Sequence, residues 1–154
     1  MADILTPQKR SWNMSRIKGK NTKPEIVLRS LLHQAGFRFR IHGANLPGKP
    51  DIVLPRYKTV IFVNGCFWHR HKNCKYAYNP KSRQDFWQEK FARTVQRDYK
   101  QIQAVLECGW LPLVIWECEI KSNPVKTLTS VQNILQKHLL QSKKHVNDET
   151  ISPT

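Results

Sequence analysis

Acidic residues are scarce in this chain: 11 Asp and Glu stand against 26 Lys and Arg, for a formal net charge of +15 and a pI near 10. That imbalance calls for a polyanionic partner, nucleic acid ahead of a membrane surface, because phosphate neutralisation supplies most sequence-independent affinity. Long apolar runs are missing as well. None approaches the roughly 18 residues of a spanning helix, so no helical membrane segment is expected. The N-terminus MADILTPQKR lacks the apolar stretch of a secretory signal, which makes the cytoplasm the expected location. Cysteines number only 4, and reduced thiols in that compartment are better read as metal ligands than as disulfides. No repeat is visible, and 154 residues suit one domain with a real core.

The densest chemistry lies in NGCFWHRHKNC, Asn64 to Cys74. Cys66, His71 and Cys74 have metal-ligand spacing, and the distant Cys118 can close a tetrahedral Cys3His site. His69 is then left over for chemistry, although on spacing alone His69 and His71 can exchange roles. Phe67 and Trp68 are adjacent and cannot both point inward from a strand, so a stacking platform is one reading of them. Cys108, in LECGW, is expected to be a buried structural thiol.

The chain on either side reads as α/β. Residues 1–23 form a basic arm carrying Lys9, Arg10, Arg16, Lys18, Lys20 and Lys23, with Trp12, Met14 and Ile17 as apolar residues that need something to bury against. Thr22, Pro24 and Glu25 open a helix as a capping box, and Gly36 closes it. Glu25 is thereby explained by capping, and a role in an active site needs separate support. Phe37, Phe39 and Ile41 alternate with Arg38 and Arg40 as a half-buried strand. Ile52–Leu54 and Thr59–Val63 form a hairpin around Pro55–Lys58, which brings Asp51 beside Val63 and Asn64. On type alone Asp51 is a turn residue.

Ser82 to Leu106 is the longest helical pattern, with Ser82 and Asp85 as its expected cap and Trp87, Phe91, Val95, Ile102 and Leu106 as its apolar stripe. Asp98 falls in that stripe. A buried ion pair and a carboxylate orienting an imidazole both account for it. Leu111 to Trp116 is a further strand, with Pro112 suited to an edge. Asn123 and Pro124 begin a last helix expected to end near Leu140, leaving 141–154 as a disordered tail and 24–140 as the folded domain.

Five segments in order, NMSRIKGKNTKPE, LPGKPDIVLP, VIFVNGCFWHRHKNC, FWQEKFARTVQRD and GWLPLVIWEC, resemble the very-short-patch-repair (Vsr) DNA mismatch endonucleases over roughly residues 8 to 120. The resemblance implies a restriction-endonuclease-like domain with a central mixed β-sheet, a structural zinc ion and magnesium-dependent nicking 5′ of the thymine at T:G mismatches left by 5-methylcytosine deamination. It implies that Asp51 and the backbone carbonyl of Val63 hold magnesium, that His69 is the general base, and that Glu25 and Asp98 support them. Cys66, His71, Cys74 and Cys118 correspond to the zinc ligands. Phe67, Trp68 and Trp87 correspond to aromatics that wedge into the duplex, Met14 to a minor-groove contact and Lys90 to a DNA contact. The implied partners are mismatched double-stranded DNA, a companion DNA cytosine-5 methyltransferase and mismatch-repair proteins, with the protein itself monomeric.

Three positions depart from the pattern: Asn64 and Val63 stand where some members carry histidine and threonine, and Cys74 follows His71 by three positions. Phe62, Val63 and Asn64 occupy the place of the superfamily's Glu-x-Lys, which shifts the base role to His69. From the residues alone, a non-catalytic zinc DNA-binding module and an endonuclease cutting fully paired sites stand as alternatives. The first leaves Asp51, His69 and Asp98 without a task.

Overall fold

A computed structural model describes residues 6–9 and 20–149, with the side chains of the last helix described as far as residue 145. Met14, together with most of the basic arm, lies outside the described residues. The elements are α1 (Lys23–Gln34), β1 (Arg40–Ile41), β2 (Ile52–Leu54), β3 (Thr59–Asn64), α2 (Gln84–Glu107), β4 (Leu111–Trp116), α3 (Glu117–Ser122) and α4 (Pro124–Glu149). The strands pair in the order β1-β2-β3-β4, antiparallel through β3 and parallel between β3 and β4. The sheet is therefore mixed, as expected, and Pro112 lies on an edge strand where its missing N–H has an open side.

Because successive strand residues face opposite ways, the sheet feeds two cores. Ile52, Leu54, Ile61 and Ile115 pack with Leu28, Leu32, Ile120, Val131 and Leu135, which places α1, α3 and α4 on one face. Val53, Val60 and Phe62 pack with Val105, and Ile102 and Val114 lean on them, which places α2 on the other. The consequence for function is that β3 runs through the middle and ends at Asn64, the start of the Cys/His-rich loop.

Several expectations are corrected by the local geometry. The strand over Phe37–Ile41 is reduced to Arg40–Ile41. Helix closure takes the rest: the Gly36 N–H (φ +89) donates to His33 and the Phe37 N–H to Leu32. These are the two bonds of a Schellman end, so Phe37 leaves the helix inward and packs on Tyr57. Helix α2 starts at Gln84 behind Arg83 in a left-handed conformation (φ +53), and the expected Ser82–Asp85 cap does not form. Its buried stripe is rotated from the expected one: Phe91 and Val105 are buried while Val95 and Leu106 are exposed. Cys108 is exposed rather than buried, since it caps the C-terminus of α2. Helix α4 does not stop near Leu140. It continues to Glu149, so residues 141–149 are helix where a disordered tail was expected. Its start is as read: Asn123 Oδ1 accepts the Lys126 N–H at 3.0 Å, and Pro124 takes the first turn, where no N–H is required.

Candidate active site

After Asn64 the chain enters a long loop, residues 65–83, that contains turns but neither helix nor strand. One end of it is built for a metal. The ligand atoms of Cys66, His71, Cys74 and Cys118 all lie within 4.8 Å of one another. His71 Nδ1 is 3.6 Å from Cys66 Sγ and 3.4 Å from Cys118 Sγ. Tetrahedral zinc with bonds of about 2.0 Å to nitrogen and 2.3 Å to sulfur places such atoms about 3.5 Å apart, so the donor set and its spacing fit zinc. Burial pushes the Cys66 thiol up to about 12. It therefore remains protonated at neutral pH unless a cation displaces the proton.

Neighbours hold this group in place. The His71 ring stacks on Trp116 at 4.2 Å and 11°. The Cys66 N–H donates to Glu117 Oε1 at 3.1 Å, so the residue before Cys118 also anchors the loop. Left-handed Asn73 (φ +55) turns the chain between His71 and Cys74, which absorbs the wider spacing of that pair.

Beside the loop opens a cleft of about 1210 Å³, whose lining includes Glu25, Asp51, Val63, Asn64, His69 and Asp98. Asp51 reaches it from the first residue before β2. Its Oδ2 accepts the Val63 N–H at 2.7 Å, while its own N–H donates to the Ile61 carbonyl. The hairpin thus delivers the carboxylate to the end of β3, as the register argument anticipated. Burial raises its pKa to about 6, the Val63 N–H opposes that rise, the Glu25 carboxylate adds to it, and Arg29 and His69 offset part of it.

This shift has a thermodynamic sign. A carboxyl whose folded pKa exceeds the unfolded 3.8 binds its proton more tightly when folded, so stability falls as pH rises from 3.8 through about 6. Above that window the charged Asp51 is a standing cost. In magnesium-free buffer Asp51→Asn is therefore more stable than the parent at pH 7.5, by on the order of 1–3 kcal/mol, with the gain vanishing below pH 4. Denaturant melts across pH measure this; a pH-independent difference contradicts it.

His69 and Asp98 meet across the cleft from the loop and α2. His69 Nδ1 lies 2.6 Å from Asp98 Oδ2, and both side chains are about one-quarter exposed. An ionised carboxylate only accepts, so Nδ1 carries the proton and Nε2 is left as the free ring nitrogen. The partner of Asp98 is an imidazole, and the two stand at both hydrogen-bond and ion-pair distance.

Glu25 does not form the expected capping box, because its carboxylate takes the Asn21 N–H and not that of Thr22, but it does line the cleft beside Asp51. It is 2% exposed; Oε1 accepts the Thr22 hydroxyl at 3.2 Å, and Oε2 accepts the Asn21 N–H at 3.1 Å and Arg29 Nη2 at 2.8 Å. The second bond of a capping box, from the Thr22 side chain to the helix backbone, is absent as well. Arg29 also contacts Asn21 Oδ1 and His42 Nε2, and this cluster was missed from the sequence. Its one legible sign was the i,i+4 spacing of Glu25 and Arg29.

Phe67 is the hub of an aromatic cluster. Its ring centroid lies 5.0 Å from Trp68, 5.5 Å from Trp87, 5.3 Å from Phe91 and 4.9 Å from Tyr78. Lys90 places Nζ 5.1 Å from the Trp68 ring and 5.6 Å from Trp87. Phe67, Trp68 and Trp87 are half-buried, so Trp87 is not ordinary core. Tyr78 and Phe86 join the group without having been singled out, although Phe86 opens the FWQEKFARTVQRD segment.

A family model described as DNA mismatch endonuclease Vsr matches residues 2–76. Among curated proteins, the chain is similar to a type II nicking enzyme V.XorIIP of Xanthomonas oryzae pv. oryzae, with 46% identity over 78% of this chain and 88% of that protein. A type II nicking enzyme V.NmeAIP of Neisseria meningitidis is 45% identical over 81% of this chain and 89% of its own length. The DNA mismatch endonuclease Vsr of Escherichia coli is 43% identical over 79% and 77%, respectively.

Proposed function

The chain belongs to the Vsr family of DNA mismatch endonucleases, which are restriction-endonuclease-like, and from that premise we propose that it nicks one strand 5′ of the thymine at T:G mismatches left by 5-methylcytosine deamination. DNA is its substrate and phosphodiester hydrolysis its reaction class. The observation that carries the finer reading is a single cleft that holds Asp51 and the Asp98-bound His69 and is lined by Phe67 and Trp68.

In this reading Asp51 and the Val63 carbonyl hold magnesium, which when bound polarises the phosphate and neutralises developing charge. His69 Nε2 takes the proton of the attacking water. Asp98 keeps the imidazole in the required tautomer and stabilises the imidazolium that forms. Glu25, pinned by Arg29 and Asn21, adds negative charge beside Asp51. Phe67, Trp68 and Trp87 enter the duplex where the wobble pair already weakens stacking, an opening that costs a few kcal/mol elsewhere. Lys90 stands next to those rings for a phosphate, and Met14 approaches from the arm. The zinc set Cys66, His71, Cys74 and Cys118 stiffens the loop before DNA arrives.

The reading also includes a monomeric cytoplasmic protein working beside a DNA cytosine-5 methyltransferase and the mismatch-repair proteins. No helix among the described residues is long and apolar enough to cross a membrane.

End-labelled T:G and C:G duplexes incubated with the protein and magnesium test it directly. One nick 5′ of the mismatched thymine is the expected product. Intact T:G substrate at saturating protein removes the enzyme, and equal cutting of both duplexes favours an endonuclease of paired sites. Within the same assay Asp98→Asn lowers the single-turnover rate about 10–100-fold, part of the 10²–10⁴-fold that a positioned base contributes. An unchanged rate removes Asp98 from the His69 pair.

A further inference from the structure

The metal group reaches only as far as Cys74, yet the loop that carries the aromatics runs on to residue 83. Beside the packing of Tyr78 on Phe67, one side chain ties the loop's second half to the Phe67 backbone by hydrogen bonds. Arg70 Nη1 donates to the carbonyls of Phe67 (3.2 Å) and Tyr78 (3.1 Å), and Nη2 donates to the Ala77 carbonyl (3.0 Å) and Asn79 Oδ1 (2.7 Å). Its Cζ lies 3.9 Å from the Phe91 ring centroid, so α2 is held by the same group. All four Nη hydrogens are thus used, and every acceptor is a neutral oxygen. An arginine kept for a salt bridge is not bound this way. The planar fork is satisfied by the loop itself.

The backbone supports this. Arg70 is left-handed (φ +56), which in a non-glycine residue has a cost that neighbouring contacts must offset. That conformation lets three consecutive side chains diverge: His69 to Asp98, Arg70 to the loop carbonyls, His71 to the thiols.

We propose that Arg70 is the positioning residue that presets the aromatic cluster of Phe67, Trp68 and Tyr78 for entry into the duplex, acting on mismatch opening and not on hydrolysis. The inference rests on the reading of Phe67 and Trp68 as entering DNA. Without Arg70 the loop beyond Cys74 must be ordered during binding, and that cost falls on the opening step. Lysine does not replace it, because a single ammonium cannot span four acceptors in the plane of a fork.

The test compares Arg70→Lys, Arg70→Ala and Trp68→Ala on two substrates. One is the intact T:G duplex; the other carries an abasic site at the step beside the mismatch, where no stacking has to be broken. Both Arg70 variants are expected to lower kcat/KM about tenfold on the intact duplex while changing it less than about threefold on the pre-opened one, with zinc content unchanged. Arg70→Lys carries the result if Arg70→Ala fails to fold. Equal losses on both substrates, or full activity of Arg70→Lys on the intact duplex, overturn the proposal. Trp68→Ala separates the two levels: if it leaves T:G nicking intact, the entry reading itself fails, whereas a Trp68 effect without an Arg70 effect removes Arg70 alone.

Discussion

Asp51→Ala lowers the single-turnover nicking rate by at least about a thousandfold, while binding of a T:G duplex stays within a few-fold of the parent. The size follows from what is lost together. The carboxylate is the one acidic group whose oxygen is fixed by the Val63 N–H at 2.7 Å, at the end of the strand that also offers the Val63 carbonyl. No neighbour replaces it: Glu25 already accepts from Thr22, Asn21 and Arg29, and Asp98 is taken by His69. Binding persists because the positive surface and the aromatic cluster are untouched. Gel-shift and quenched-flow measurements on one preparation separate the two quantities. Substantial residual nicking at saturating magnesium takes Asp51 out of the metal site.

Cys118→Ser loses bound zinc and a large part of the folded stability together. Structural zinc contributes on the order of 10 kcal/mol to metal-dependent small domains, and even a fraction of that exceeds the margin of many folded proteins. Here Cys118 also joins α3 to the loop, beside the Glu117 carboxylate that accepts the Cys66 N–H. Metal analysis and thermal melts of the variant check this. Unchanged zinc stoichiometry refutes the Cys3His assignment, whereas zinc loss with an unchanged melting temperature makes the metal local to the loop.

Much of this was legible because it depends on local rules. The hairpin that brings Asp51 to Val63 follows from strand alternation around Pro55, and the metal group follows from thiol and imidazole spacing plus one distant cysteine. Asp98 was legible as an anomaly, an acid on an apolar helical stripe. The errors arise where a helix end or a helix entry overrode the pattern expected there. Phe37 has strand periodicity but is taken by the end of α1. Cys108 looks like core yet caps an exposed helix terminus. Ser82 and Asp85 have cap chemistry, but the loop enters α2 through a left-handed Arg83 instead. Arg70 and most of the Glu25–Arg29–His42 cluster were missed for a different reason. Their partners are backbone oxygens and side chains that only folding brings near.

The parallel pairing of β3 with β4 sets an order of events during synthesis. Asp51 and Val63 can meet as soon as their hairpin has left the ribosome, since both belong to one short stretch of chain. His69, the base of the proposed mechanism, waits for Asp98 on α2, and the Cys3His group waits for Cys118, directly behind the last strand. A nascent or truncated chain ending before Trp116 therefore carries the Asp51 carboxylate of the proposed magnesium site without the complete Cys3His group that stiffens the loop in the same reading. Nuclease competence arrives last, with the edge strand, and a half-made chain poses little danger to the genome it is built to mend.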